Sequence, residues 1–348
     1  GRELWAVCIS DHPGTQENEP EAKIVGGIHG DEPVSVEISL LLAEWLLQQY
    51  GGDTAVAQRV TALVNSTELW ILPCMNPDGL EAGTRYNANG YDLNRSFPDG
   101  TVTPIATVYS DGIAATGHLQ PETAAVVRWS AANSFAVSAG LHAGALLVCY
   151  PFGNNAARED SVTATPDDAL FRHLALQYTS NNADMYDEGN NLLLQGEESF
   201  RNGIINAADW YCVDGEMADW NYRYLGGLDV TVELSKTKDE TGDALAHTWA
   251  LNRDALLSFL EAASMGISGI VTDAADGRPL WARVEVQGGP REVFTDPDCG
   301  DYHRPLLPGD YFISVSAPGY WTVVRDGVSV PDTDSAVQQN VALSRAPH

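Results

Sequence analysis

Lys23-Ile24-Val25-Gly26-Gly27-Ile28-His29-Gly30-Asp31-Glu32 is the stretch that decides the architecture of this chain. Lys23 to Ile28 reads as a strand buried on both faces, ending at a turn that opens with His29. Val34 to Gln49 follows as a helix with Leu40, Leu41, Leu42, Trp45 and Leu46 on its inner side. A buried strand, a polar turn and a helix in that order form the first part of a βαβ unit, so a parallel sheet is expected.

Working outward, short apolar runs keep alternating with helical patterns over the first 264 residues. Glu68 to Pro73, Phe135 to Leu141 and Leu228 to Leu234 read as strands. Pro121 to Trp129 opens with proline at a favourable first helical position. Asp167 to Tyr178 reads as a helix behind the cap candidate Thr165, and Ala244 to Ala262 as a closing helix. After Ser264 the pattern changes. Ile267 to Asp273, Ala282 to Gln287, Tyr311 to Ala317 and Trp321 to Val324 are short alternating stretches. Asp276-Gly277, Gly288-Gly289-Pro290, Pro308-Gly309-Asp310 and Pro318-Gly319 divide them. Regular strands with Gly/Pro turns and no helix describe a small all-β sandwich, so the expected division is 1–264 and 265–348.

The chain has 348 residues, enough for two cores. Its 48 acidic against 19 basic residues give a formal net charge of -29, which argues against nucleic acid or an anionic membrane surface as partner. No apolar run has the roughly 20 residues of a membrane span. Cys8, Cys74, Cys149, Cys212 and Cys299 are odd in number and contain no C-x-x-C pair. A thiolate zinc site therefore has no support from spacing, and the redox compartment stays open.

Metal-ligand residues stand at the expected strand ends. His29 and Glu32 follow the first strand, His142 closes another, and Glu233 ends a third. In an open α/β sheet, ligands gather at the carboxyl ends of strands. Two imidazoles and one carboxylate leave a single zinc ion one position for water, the mark of a catalytic rather than a structural site. Histidines standing alone, such as His12, His118, His173, His247, His303 and His348, carry no such pattern.

Between these ligands lie Pro73-Cys74-Met75-Asn76-Pro77-Asp78-Gly79, then Arg85, then Tyr91-Asp92-Leu93-Asn94-Arg95-Ser96-Phe97-Pro98-Asp99. Gln120 to Thr123, Tyr150 to Phe152, Asp219 to Tyr222 and Thr231 to Leu234 add further short motifs. Here the chain resembles the M14 zinc metallocarboxypeptidases, most closely the regulatory subfamily that includes carboxypeptidases D, E, M and N. Gly269 to Ala274 and Gly300 to Tyr302 resemble that subfamily's transthyretin-like domain. The resemblance covers almost the whole chain. It implies a mixed, largely parallel sheet flanked by helices, followed by the sandwich.

It also implies roles. His29, Glu32 and His142 would hold one Zn2+, Glu233 would be the general base, and Arg85 would stabilise the developing oxyanion. Asn94 and Arg95 would grip the terminal carboxylate of a peptide or protein, Tyr211 would close over the substrate, and Asp92 would orient His29. Family domains carry a helix and a strand ahead of the Gly1-Arg2-Glu3-Leu4-Trp5 segment, so the N-terminal edge of the sheet is expected to be missing from this sequence. The implied location is extracellular or periplasmic, and oligomeric state is not legible.

Two departures concern specificity. The subfamily places an acidic residue after Tyr-Pro-Phe, where this chain has Gly153, and a glutamine where it has Ala218. Glu216 replaces a small residue of the same pocket-forming segment and is expected to restore a basic preference, with a small or neutral C-terminal side chain as the competing expectation. Peptidoglycan-peptide trimming and N-acyl amino acid hydrolysis stand as alternative activities. A non-catalytic binding protein would be expected to have lost Glu233 or a ligand, and neither is lost.

Overall fold

The computed structural model describes residues 2–99, 119–188, 200–286, 292–333 and 335–347. Among the described residues, seven strands form the larger sheet: β1 (Val7–Ile9), β2 (Glu21–Val25), β3 (Glu68–Leu72), β4 (Phe135–His142), β5 (Leu147–Tyr150), β6 (Ile204–Asn206) and β7 (Leu228–Glu233). Their order is β1-β3-β2-β4-β7-β5-β6. β1 on β3 and β5 on β7 are antiparallel, while the other four pairings are parallel. The sheet is thus mixed and largely parallel. All residues of β2, β4 and β5 are buried, as strands covered by helices on both faces must be.

Among the described residues, five longer helices cover it: α1 (Pro33–Gln49), α2 (Ala55–Val64), α3 (Pro121–Ala131), α4 (Asp168–Thr179) and α5 (Gly242–Glu261). α1 buries Leu42, Trp45 and Leu46 as expected, but Leu40 is 48% exposed because it lies on the opposite side of the helix. The β2 strand ends at Val25, three residues earlier than the sequence pattern suggests. Gly27 has φ +61°, a left-handed conformation that cannot continue a strand. α4 is entered through Asp167, not Thr165, whose carbonyl accepts from the Asp168 N–H instead.

The remaining strands are β8 (Ile267–Asp273), β9 (Arg283–Val286), β10 (Val293–Phe294), β11 (Asp301–Arg304), β12 (Gly309–Ser316), β13 (Val323–Val330), β14 (Val337–Gln338) and β15 (Val341–Leu343). They form two sheets, β10-β9-β12-β13 and β11-β8-β14, with β15 also on β8. Ile267, Val271, Val284, Val286, Ile313, Val315 and Leu343 are among the side chains that fill the space between them. The Gly288-Gly289-Pro290 turn lies outside the described residues. Arg304 of β11 reaches across to the α4 entry, where its Nη2 lies 2.8 Å from both oxygens of Asp167, and Tyr222 Oη donates to the same carboxylate. This buried ion pair links the sandwich to the larger unit.

Candidate active site

His29, Glu32 and His142 reach one point from two strand ends. His142 is the last residue of β4 and pairs in register with Glu233, the last residue of β7. His29 sits beyond β2, in a turn that packs closely on the short helix Pro77–Ala82. A Cβ at Gly30 would run into the Gly79–Leu80 backbone, which explains glycine next to the histidine. Asn76 caps that helix by accepting from the Gly79 N–H, and its Nδ2 donates to the carbonyls of Ile28 and Arg85 at 3.3 Å. One asparagine thereby ties the residue before His29 to Arg85.

The three donors are buried at 3%, 2% and 3% exposure. His29 Nδ1 lies 3.0 Å from Glu32 Oε1, His142 Nδ1 lies 3.2 Å from Glu32 Oε2, and the two ring nitrogens are 3.1 Å apart. Two imidazole nitrogens turned on each other and on one carboxylate put three donor atoms within reach of one cation, and a His-His-Glu set suits zinc. The residues present therefore fit one zinc ion. His29 Nε2 pairs with Asp92 Oδ1 at 3.1 Å, which directs Nδ1 inward. Asp92 also caps the Leu93–Arg95 turn through the Asn94 N–H. Although burial works the other way, hydrogen bonds and charge from the histidines hold Glu32 and Asp92 well below the usual carboxylate range.

Glu233 is brought into the same cleft, where burial pushes its carboxyl up to about 7, against the pull of His142. Arg85 Nε donates to Asp92 Oδ2 at 2.8 Å, and its Nη1 is 3.6 Å from Glu32 Oε1. Asn94 is buried and accepts from the Met217 N–H at 2.9 Å. Arg95 donates to the Asn94 carbonyl at 2.7 Å, lies 3.6 Å from Glu216 Oε1, and holds its guanidinium 6.0 Å above the Tyr211 ring. Tyr211 is 39% exposed at the mouth. Nine of the ten residues expected from sequence line this one pocket, and Asp92 stands directly behind it.

Glu216 is buried, and the pocket explains Gly153. A Cβ at position 153 would collide with Glu216 Oε2. Asp219 accepts from the Gly153 N–H at 2.8 Å, so the Asp219 to Tyr222 segment fixes this wall. Burial raises the Glu216 carboxyl to about 8, with Arg95 opposing.

Lys238 carried no mark in the sequence. Its Nζ lies 2.9 Å from Asp31 Oδ2 and 3.2 Å from Glu32 Oε1, and only its place five residues beyond Glu233 hints at the site. Cys149 is also found in the pocket wall, and all five cysteines are unpaired.

A family model described as zinc carboxypeptidase matches residues 1–259, and a carboxypeptidase regulatory-like domain matches residues 266–344. Carboxypeptidase D of Anas platyrhynchos is 41% identical over 355 residues, covering 99% of this chain and 24% of its own. The Homo sapiens carboxypeptidase N catalytic chain is 37% identical, covering 92% of this chain and 74% of its own. The chain spans about a quarter of the length of the carboxypeptidase D relatives it matches. Among solved structures, thrombin activatable fibrinolysis inhibitor aligns over 75% of this chain and 65% of its own, at TM-score 0.57 and 18% identity. Carboxypeptidase A of Helicoverpa armigera aligns over 76% and 66%, at TM-score 0.57 and 16% identity, and these two likenesses concern the fold. With the family model matched over residues 1–259, the chain belongs to the zinc carboxypeptidase family.

Proposed function

We propose that this chain is a zinc-dependent carboxypeptidase that removes the C-terminal residue of peptides or proteins and prefers a basic one. The observation that carries the reading is that Asn94, Arg95 and Tyr211 line the same pocket as His29, Glu32, His142 and Glu233. A carboxylate clamp beside a hydrolytic centre restricts cleavage to the last peptide bond.

Bound zinc supplies polarisation of the scissile carbonyl and a more acidic water. Glu233 takes the water's proton and passes it to the leaving amine, a role suited to a carboxyl poised near neutrality. Arg85 holds a fixed positive charge beside the ligands, where negative charge develops on the carbonyl oxygen. Arg95 receives the substrate's terminal carboxylate. Asn94, its side-chain Oδ1 occupied by the Met217 N–H, offers its Nδ2 N–H groups to the same carboxylate. Tyr211 folds over the substrate and excludes water.

The basic preference rests on Glu216. Its carboxylate takes up the room that a side chain at 153 would need, so the acidic group of this pocket enters from the opposite wall. We read residues 1–264 as the catalytic unit and 265–348 as a transthyretin-like accessory, and infer an extracellular or periplasmic setting. No helix among the described residues is long and apolar enough to cross a membrane.

The test is kcat/KM on peptides ending in Arg, Ala and Phe. Arg is expected to be preferred by tenfold or more, consistent with about 1.4 kcal/mol for each factor of ten. A chelator should abolish release, and added zinc restore it. Faster release of Phe than of Arg would remove the Glu216 proposal while leaving the carboxypeptidase reading standing.

A further inference from the structure

Lys238 touches the metal-ligand set without belonging to it. Its Nζ lies 2.9 Å from Asp31 Oδ2 and 3.2 Å from Glu32 Oε1, so one ammonium bridges a ligand carboxylate and the acidic residue before it. Glu32 is buried, whereas the Lys238 side chain keeps 36% of its surface open. The lysine therefore reaches the ligand from the outer side of the cleft.

The segment that carries it is stitched to both ligand-bearing stretches. On the side of His142, the Gly144 N–H donates to the Ser235 carbonyl at 2.8 Å; on the side of Glu32, the Val34 N–H donates to the Lys238 carbonyl at 3.2 Å. Ser235 Oγ closes the turn between them on the Thr237 carbonyl at 2.5 Å. The lysine stem passes over Gly144, where an added Cβ would lie 3.3 Å from Lys238 Cε. Two backbone bonds and a glycine thus set where the ammonium stands.

Each oxygen of Glu32 has its own outer donor. The Ala143 N–H holds Oε2 at 3.2 Å, and Lys238 holds Oε1. Among the described residues, Arg85 is the other non-histidine cation beside Oε1, but it stands 3.6 Å away and its Nε is committed to Asp92 Oδ2 at 2.8 Å. A ligating carboxylate held from outside at both oxygens has little orientational freedom left to lose on meeting a metal. Asp31 offsets the ammonium charge, so the contact orients Glu32 without adding net positive charge beside a bound cation.

We propose that Lys238 is a positioning residue for zinc, aiming the Glu32 carboxylate from outside the ligand set with Asp31 as its anchor. The inference rests on the zinc reading of His29, Glu32 and His142. Because the lysine is partly exposed, its ion pairs add little to the stability of the fold. Loss of an outer partner of a ligand, in contrast, weakens metal binding by about 10–100-fold. Metal affinity and folding stability are therefore separable readouts of what Lys238 does.

The experiment is zinc titration of the metal-free chain in competition with a chromophoric chelator, with thermal unfolding of the same metal-free samples. The variant combines Asp31→Asn with Lys238→Met, which removes one charge of each sign and leaves the net charge around the ligands unchanged. Its zinc Kd should rise about 10–100-fold while its metal-free Tm stays with that of the unaltered chain. With Co(II) in place of zinc, the visible d–d bands should shift in the variant, because they report how Glu32 meets the metal. A Kd within a few-fold of the unaltered value would overturn the role of Lys238 and leave the zinc reading standing. A raised Kd accompanied by a clearly lowered metal-free Tm would also overturn it, by assigning the lysine to the fold. Failure of the unaltered chain to bind zinc would remove the zinc reading, and the role of Lys238 with it.

Discussion

Glu216 and Gly153 act as one unit: the carboxylate of the first occupies the volume that the second leaves free. On the proposed assignment, Glu216 must be ionised to hold a basic side chain, and Glu233 must be ionised to accept a proton. Burial puts the first near about 8 and the second near about 7. Raising pH through 7 increases the ionised fraction of Glu233, which lifts kcat/KM on every substrate. Raising it through 8 ionises Glu216, which helps only cationic side chains. The kcat/KM ratio for Arg-ended over Ala-ended peptides should therefore climb about tenfold between about pH 7 and 9, and Glu216→Gln should flatten it. A flat ratio in the unaltered protein would count against Glu216 as the specificity residue.

At the level of elements, three central strands share a buried polar network. Lys23 of β2 donates to Ser130 of α3 and to Asn221 Oδ1, while Ser138 of β4 and Asn221 Nδ2 donate to Asp229 of β7. Burial lowers Lys23 from the ordinary 10.5 to about 8, with Asp229 opposing. Between those values the unfolded chain binds more protons than the folded one, so stability rises with pH across that window. The rise attributable to Lys23 is about 3 kcal/mol. Denaturant unfolding at pH 8 and 10.5 should give that difference between the unaltered chain and Lys23→Met, whose slope lacks this contribution. Equal slopes would place the lysine's charge in a far more polar setting.

The same elements explain what sequence could reveal. Apolar runs that stay buried on both faces, such as Phe135 to Leu141, announce themselves, and β8 matches its expected span of Ile267 to Asp273. α2 is obscured by Val56, Val60, Thr61 and Val64, whose β-branches read as strand, and it is held instead by the Thr54 cap and by packing. Thr165 has the chemistry of a cap, but Asp167, two residues on, enters the helix while its carboxylate is engaged by Arg304 from the sandwich. That contact spans 137 residues, and no local pattern can contain it. Lys238 was hidden for the same reason, since its acidic partners lie on the His29 turn.

Across the whole molecule, the net charge of -29 coexists with a cleft where Arg85, Arg95 and Lys238 gather around buried carboxylates. Cationic groups concentrated there suit an anionic chain terminus, while the acidic exterior favours basic substrates at long range. The central claim is that separate strand ends converge into one hydrolytic centre, with Glu233 moving the proton. The measurement closest to it is single-residue release by Glu233→Gln, alongside its zinc content. The account predicts zinc content equal to that of the unaltered chain and a kcat lower by about 10²–10⁴-fold. Turnover by Glu233→Gln within a few-fold of the unaltered chain, at equal zinc content, would contradict it.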